Sequence, residues 1–455
     1  MAIQTLNPAT GEVVKTFDAH TEAQTDAAIA KSLAAHHVLR DWSFEKRAKA
    51  MRKAAKILKD ETEHYAKILT LEMGKTFASA KAEVEKCAWV CEHYADNAQD
   101  YLADEIVETD AKKSYRTYLP LGPVLAVMPW NYPYWQAFRF AAPALMAGNT
   151  GLLKHSSNVP QSALAISEIF DRAGFPEGAF QTLLIGGSAV EHVLRDPRVR
   201  AATLTGSEPA GSSVAAICGE LIKPTVLELG GSDAFIIMPS ADIDEAVKVG
   251  TKARTQNNGQ SCIAAKRFLV HEDIYDDVKA KFVDSFKALK VGEPMKEDTD
   301  VGPLVTKQAR KDIAAQVEMA ITQGARRVFG AEIIDGKGFY FRPGILDNIE
   351  KGNLAYSDEI FGPVALFFKV SSLSEAIKIA NDTEFGLGSA IFTADEDEQQ
   401  QAIRQIEAGA TFVNSMTSSD PRLPFGGIKV SGYGRELSSE GIRAFCNCKT
   451  VSIAH

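Results

Sequence analysis

Cys262 closes the stretch Asn257-Asn258-Gly259-Gln260-Ser261-Cys262. A thiol placed after a polar, glycine-containing turn can meet a reacting carbon beside backbone amides. Upstream, Glu228 ends the run Val226-Leu227 and is followed by Leu229-Gly230-Gly231, so other backbone can come close to a carboxylate. Further upstream, Asn131 stands between two prolines in Pro129-Trp130-Asn131-Tyr132-Pro133. A thiolate that attacks, a carboxylate that activates water and an amide that steadies an oxyanion are the parts that thioester chemistry on an aldehyde requires. Each also has an ordinary reading. Cys262 could be a packed loop cysteine, Glu228 a charge at a strand end, and Asn131 the cap of a helix that Pro133 starts.

A second group of residues could hold phosphate. Thr205-Gly206-Ser207-Glu208-Pro209 joins a strand to a helix, which places Gly206 and Ser207 where helix N-terminal amides favour an anion. The spacing of Gly206 and Gly211 resembles a P-loop, but Ser212-Ser213 follows instead of Lys-Ser/Thr, which excludes an ATPase. Lys154 ends a strand of the same region and could reach ribose or phosphate, with a solvated lysine as the plain alternative.

The alternation of elements supplies the scaffold. Strands at 124–128, 151–154, 181–185, 201–204 and 225–229 alternate with helices at 135–146, 161–173, 189–195 and 209–218. Such βα repetition predicts a parallel, doubly wound, Rossmann-like sheet that binds ligands at the carboxyl ends of its strands. Helical spacing covers 21–37, 44–73 and 75–100, with Cys87 and Cys91 on one buried helix face. From 232 a second α/β unit begins, with strands at 235–238, 268–271, 365–370, 389–392 and 411–414 and helices at 274–289 and 307–323. The polar, alternating segment 102–121 and a final strand at 448–453 read as exposed strands suited to pairing with another copy. Cys446 and Cys448 alternate on that tail and point the same way, as packing residues. The expected organisation is a dinucleotide-binding domain at 1–101 and 121–231, a catalytic domain at 232–432, and an oligomerisation arm and tail at 102–120 and 433–455.

Composition narrows the class. The chain has 455 residues, 45% hydrophobic and 24% charged, with a net charge of −9 that argues against binding nucleic acid. Its six cysteines make neither a disulfide framework nor a zinc ligand set, so no metal is expected. No stretch approaches the roughly 18 apolar residues of a membrane span, and the start lacks a leader pattern; a cytoplasmic protein is expected.

Together the motifs resemble the aldehyde dehydrogenase superfamily over nearly the whole chain. Pro129-Trp130-Asn131, Glu228-Leu229-Gly230-Gly231, Gly259-Gln260-Ser261-Cys262, Glu359-Ile360-Phe361-Gly362-Pro363 and Pro424-Phe425-Gly426-Gly427 stand in the family's order. The resemblance implies Cys262 as nucleophile, Glu228 as general base and Asn131 as oxyanion donor. It implies Trp130, Lys154, Gly206, Ser207, Glu359 and Phe361 at the dinucleotide, and association into a homodimer or homotetramer. Within the superfamily the chain looks similar to the shorter succinate-semialdehyde dehydrogenases of bacteria, through Gln136-Ala137-Phe138-Arg139-Phe140 and Ser419-Asp420-Pro421-Arg422-Leu423. Arg139, Gln136 and Ser419 are then expected to bind substrate, since an ω-carboxylate needs a basic partner. Larger relatives carry a second arginine where this chain has Gln256, which leaves room for other aliphatic aldehydes.

For the cofactor, many NAD-preferring relatives carry a glutamate where Ser157 stands, three residues after Lys154. A serine does not repel a 2′-phosphate and can donate to it, so NADP or NAD is expected as cofactor, with NADP tolerated and a preference for it left open. Two rival readings stay open. One is an acylating enzyme that passes the thioester to coenzyme A, against which Glu228 speaks. The other is a catalytically silent protein that keeps the fold, against which the full Cys262, Glu228 and Asn131 set speaks.

Overall fold

A computed structural model describes residues 3–455. An N-terminal hairpin, Ile3–Asn7 with Glu12–Phe17, precedes four helices at Glu22–Leu39, Phe44–Asp60, Thr62–Met73 and Phe77–Tyr101. Their starts follow from capping chemistry. Thr21 and Gln24 form a reciprocal capping box, Ser43 accepts from the Lys46 N–H, and Thr76 accepts from the Ser79 N–H. The single helix expected over 44–73 is two, because the backbone leaves helical geometry at Glu61 (φ −116°, ψ 25°).

The first large sheet has six strands, in the order Gly432–Tyr433, Thr225–Glu228, Ala201–Thr205, Pro123–Met128, Thr150–His155 and Phe180–Thr182. All neighbours are parallel except Gly432–Tyr433, which runs antiparallel to Thr225–Glu228. That edge strand corrects the expectation for 433–455: the chain returns to the first sheet before it enters the arm. The strand expected at 181–185 is shorter, since ladder pairing stops at Thr182.

The second sheet has seven strands, ordered Arg326–Phe329, Gly344–Asp347, Val364–Val370, Arg267–His271, Ala234–Ile237, Gly388–Phe392 and Ala410–Val413. The first of these is antiparallel to its neighbour and the rest pair in parallel. Both sheets are covered on both faces, as period-two patterning requires. Ile236 packs into one core while Phe235 and Ile237 enter another. In the first sheet Val124 and Ala126 join the helical core, and Leu125 faces the opposite one.

Cys446–Ile453, Lys113–Pro120 and Glu105–Val107 form a separate antiparallel sheet, whose Ile106, Val107, Leu119 and Ile453 are exposed. The two tail cysteines differ in surroundings. Cys446 is half-buried with its thiol on the Ile442 carbonyl, whereas Cys448 is exposed, because the strand leaves the body between them. Cys87 and Cys91 are fully buried. Among the described residues no helix is long and apolar enough to cross a membrane.

Candidate active site

The loop before Cys262 is held in a conformation that ordinary residues avoid. Asn257 and Asn258 adopt left-handed backbone (φ 54° and 59°), which asparagine tolerates better than most residues. Their side chains fix the loop to its surroundings. Asn258 donates from Nδ2 to the Gly74 and Pro303 carbonyls (2.9 and 3.0 Å) and accepts from the Gly302 N–H (2.8 Å). Asn257 donates to the Asn131 and Gln260 carbonyls (2.7 and 3.0 Å). Arg254, fully buried near the end of the helix Ile243–Thr255, donates to the Gly259 and Ala265 carbonyls at 2.6 and 3.0 Å. This helix was not read from the sequence, and it carries one of the main supports of the thiol loop.

Cys262 is half-buried and lines a cavity of about 610 Å³. Burial pushes its thiol up to about 12, against the nearby positive charges of Lys266 and Arg139, while Glu359 and Asp233 add to the rise. Lys266 is another residue that sequence reasoning missed. It is fully buried, donates to the Ser261 carbonyl (2.8 Å) and the Cys262 carbonyl, and pairs with Glu359 at 3.0 Å. The only hint in the sequence is a pair of charges, Lys266-Arg267, set directly before the apolar run Phe268-Leu269-Val270. Arg267 is spent on the Ser232, Ile379 and Ala380 carbonyls.

Asn131 does not cap the helix Pro133–Ala147, whose N-cap is Tyr132 without a side-chain bond. Its Nδ2 donates instead to the Gln260 carbonyl at 3.1 Å, and its Oδ1 accepts from Gln136 Nε2 at 3.1 Å. A primary amide carries two hydrogens, so one is left after the bond to Gln260, two residues before Cys262. Gln136 lines the cavity, but its amide nitrogen is given to orienting Asn131.

Glu228 ends its strand fully buried, and neither carboxyl oxygen has a partner. Its pKa is raised well above the carboxylate range, first by burial and then by the charge of Glu436, while Arg139 and Arg435 pull it down. Glycines make the space. A Cβ on Gly426 would stand 2.6 Å from Glu228 Oε1, and a Cβ on Gly231 would stand 2.8 Å from the Cys262 carbonyl. The Gly-Gly pairs that follow Glu228 and Phe425 are therefore how three separated motifs close around one point.

Arg139 lines the same cavity, and its surroundings differ from the expectation of an open cation. Its guanidinium pairs with the buried Glu436, sends Nη2 to Thr205 Oγ1 (3.3 Å) and lies 4.7 Å from the Phe425 ring centroid. Ser419 is buried on the cavity wall, and its hydroxyl accepts from Lys86 Nζ at 2.9 Å. Gln256 also lines the cavity.

The dinucleotide candidates gather at the carboxyl ends of the first sheet. Trp130 follows one strand and packs edge-on against Phe361, with ring centroids 5.7 Å apart. Lys154 ends the next strand, half-buried, with burial lowering its pKa. Ser157 lies just beyond it, half-buried, with its carbonyl accepting from the Gln4 N–H. Gly206 donates to the Glu228 carbonyl at 3.0 Å. Ser207 is the N-cap of the helix Glu208–Glu220 and is exposed, and its side chain makes no cap bond. Glu359 reaches in from the second sheet's side, paired with Lys266, and burial raises its pKa. A strand-end cradle with a spare helix N-terminus, an exposed serine and a nearby lysine fits a dinucleotide's pyrophosphate and ribose.

Two α/β sheets joined across a cysteine loop, with a strand-end cradle beside it, place the chain among α/β enzymes that work with a dinucleotide. The pattern of the aldehyde dehydrogenase family matches residues 1–451. A Mycobacterium avium (strain 104) protein named as an NADP(+) succinate-semialdehyde dehydrogenase is 58% identical over 100% of this chain and 97% of its own. A Mycobacterium tuberculosis (strain H37Rv) protein with the same designation, number 1, is 57% identical over the full length of both. Among solved structures, succinic semialdehyde dehydrogenase from Streptococcus pyogenes in complex with NADP+ is 41% identical, with a TM-score of 0.98 and full coverage of both chains. The chain belongs to the aldehyde dehydrogenase family.

Proposed function

We propose that this enzyme oxidises succinate semialdehyde, or a close carboxylated aliphatic aldehyde, to the acid with NADP through a thioester on Cys262. The observation that carries the reading is one cavity lined by Cys262, Ser419 and the cationic side chains Lys86, Arg139, Lys248 and Lys252. The full-length likeness to the mycobacterial enzymes supports it.

The residues divide the work. Cys262 gives up its proton to solvent and its sulfur bonds to the aldehyde carbon, while the C=O π bond breaks onto its oxygen, and the resulting oxyanion is met by the remaining hydrogen of the Asn131 amide. Bound NADP supplies the acceptor for the hydride that leaves this carbon, and the acyl group then rests on the sulfur. Glu228, once deprotonated, takes a proton from water as the hydroxide forms a bond to the acyl carbon, and the Cys262–acyl bond breaks to release the acid. Trp130, Lys154, Gly206, Ser207, Glu359 and Phe361 would hold the dinucleotide, and Ser157 leaves space and a donor for a 2′-phosphate. The dinucleotide-binding domain at 1–101 and 121–231 also supplies Asn131 and Glu228, the catalytic domain at 232–432 supplies Cys262 with Glu359 and Phe361, and association of subunits falls to the arm strands.

The test compares succinate semialdehyde with butanal, which has the same carbon count and no distal charge. The wild-type enzyme with NADP is expected to show a kcat/KM at least roughly tenfold higher for the carboxylated aldehyde, the scale of one charge-assisted hydrogen bond. Equal values would overturn the substrate assignment.

A further inference from the structure

Four cations line the cavity: Lys248 and Lys252 are exposed side chains of the helix Ile243–Thr255, while the two less exposed ones come from two other helices and differ in charge state. Arg139, on the helix Pro133–Ala147, is neutralised by Glu436. Lys86 lies on the helix Phe77–Tyr101, on the face that also lines the cavity with Ser79, Ala82 and Glu83, as the helical period dictates. Among the described residues no carboxylate comes within 4.0 Å of its ammonium. Its near contacts are the Ser419 hydroxyl at 2.9 Å and the Trp135 ring, with the centroid at 4.4 Å.

The acidic neighbours of Lys86 are spent elsewhere. Glu83 accepts from the Tyr134 and Trp135 N–H groups (2.9 and 3.0 Å) and from the buried Lys75. Asp420 accepts from the Arg422 N–H and Nε, both at 2.9 Å, and from its Nη2 at 2.7 Å. Lys86 has thus lost much of its hydration without gaining an anion. Its pKa falls to about 8 for that reason, first through burial and then through the charge of Arg139, with Cys87, Asp420 and Glu83 acting in the opposite sense. A half-buried ammonium beside a serine hydroxyl, open to the cavity that holds the thiol, lacks one component: a negative group from outside the chain.

We propose that Lys86, with Ser419, is the seat of the substrate's distal carboxylate and so the main determinant of specificity for carboxylated aldehydes. Arg139 keeps Glu436 and the Glu228 region in order and adds only background positive potential at the seat. The proposal rests on the reading of the substrate as a carboxylated aldehyde.

Lys86→Met keeps the stem over Trp135 and removes the charge. Steady-state kinetics with NADP on succinate semialdehyde and butanal, for wild type, Lys86→Met and Lys86→Arg, separate the possibilities. Lys86→Met is expected to lower the ratio of kcat/KM for the carboxylated over the neutral aldehyde by roughly 10- to 100-fold, through KM rather than kcat. Lys86→Arg should restore most of that ratio, and succinate should lose its power as a competitive inhibitor only in the Met variant. An unchanged ratio in Lys86→Met, including equal losses on both aldehydes, would overturn the seat at Lys86 while leaving the substrate assignment intact. A wild-type enzyme with no preference would defeat the substrate assignment itself, and the seat with it.

Discussion

The two ends of the cavity are built by opposite means. At the thiol end, side chains of Asn257, Asn258, Arg254 and Lys266 donate to carbonyls of the loop itself and to those of Gly74, Asn131 and Pro303. At the basic end, Lys86 is a flexible stem with one hydroxyl partner and an aromatic face beneath it. The chemistry of bond formation needs a fixed sulfur, since small misplacements are costly. Recognition of a remote charge tolerates a mobile ammonium, which acts as a point charge without a preferred plane. Rigidity is thus concentrated where the reaction happens.

The largest effect should come from breaking the rigid end. Cys262→Ala is expected to abolish aldehyde-dependent NADPH formation, a loss of roughly 10⁴-fold or more, and Glu228→Gln to leave a single burst with slow turnover. A stopped-flow trace with normal steady-state turnover in the Glu228 variant would reassign the base. Next comes the cation that joins the two ends. Arg139→Met leaves Glu436 and Glu228 buried together with no counter-charge between them, and losing one partner of a buried pair costs roughly 3–5 kcal/mol. Urea unfolding of Arg139→Met should show that loss; Lys86→Met, with no pair to break, should unfold within about 1 kcal/mol of wild type. The smallest effect separates the ends by pH. Raising pH increases the thiolate fraction of Cys262, held up to about 12, but removes charge from Lys86 as pH passes about 8. The groups facing Lys86 are Glu83, Cys87, Arg139 and Asp420; those acting on Cys262 are Lys266, Glu359, Arg139 and Asp233. From about pH 7 to 9, kcat/KM for butanal should climb while the advantage of succinate semialdehyde shrinks several-fold. Parallel profiles for the two aldehydes would remove the contrast.

The catalytic end was more legible than the basic end. Cys262, Glu228 and Asn131 stand in short motifs because their backbone neighbours are constrained too: left-handed asparagines, glycines without room for a Cβ, a proline at a helix start. Most strands of both sheets were readable from apolar runs, but Arg326–Phe329 and Gly344–Asp347 of the second sheet were not. Lys86 offers no such mark, since it sits in a helix rich in lysine and glutamate and only tertiary packing distinguishes it from Lys81 or Glu85. Glu436 is likewise defined by a partner distant in sequence, Arg139. The helix Ile243–Thr255 was missed because its mean pattern is polar, and Gly432–Tyr433 because two residues carry no period.

That short strand has a consequence for how the enzyme comes into being. Gly432–Tyr433 fastens the chain to the first sheet beside Glu228, and with it arrive Gly426 and Glu436. A nascent chain that has already built its first sheet still leaves Glu228 in water, as an ordinary acid, and Arg139 without its anion. Reactivity is withheld until loops hundreds of residues long have closed. An unfinished molecule carries the sulfur without the buried carboxyl that completes the site.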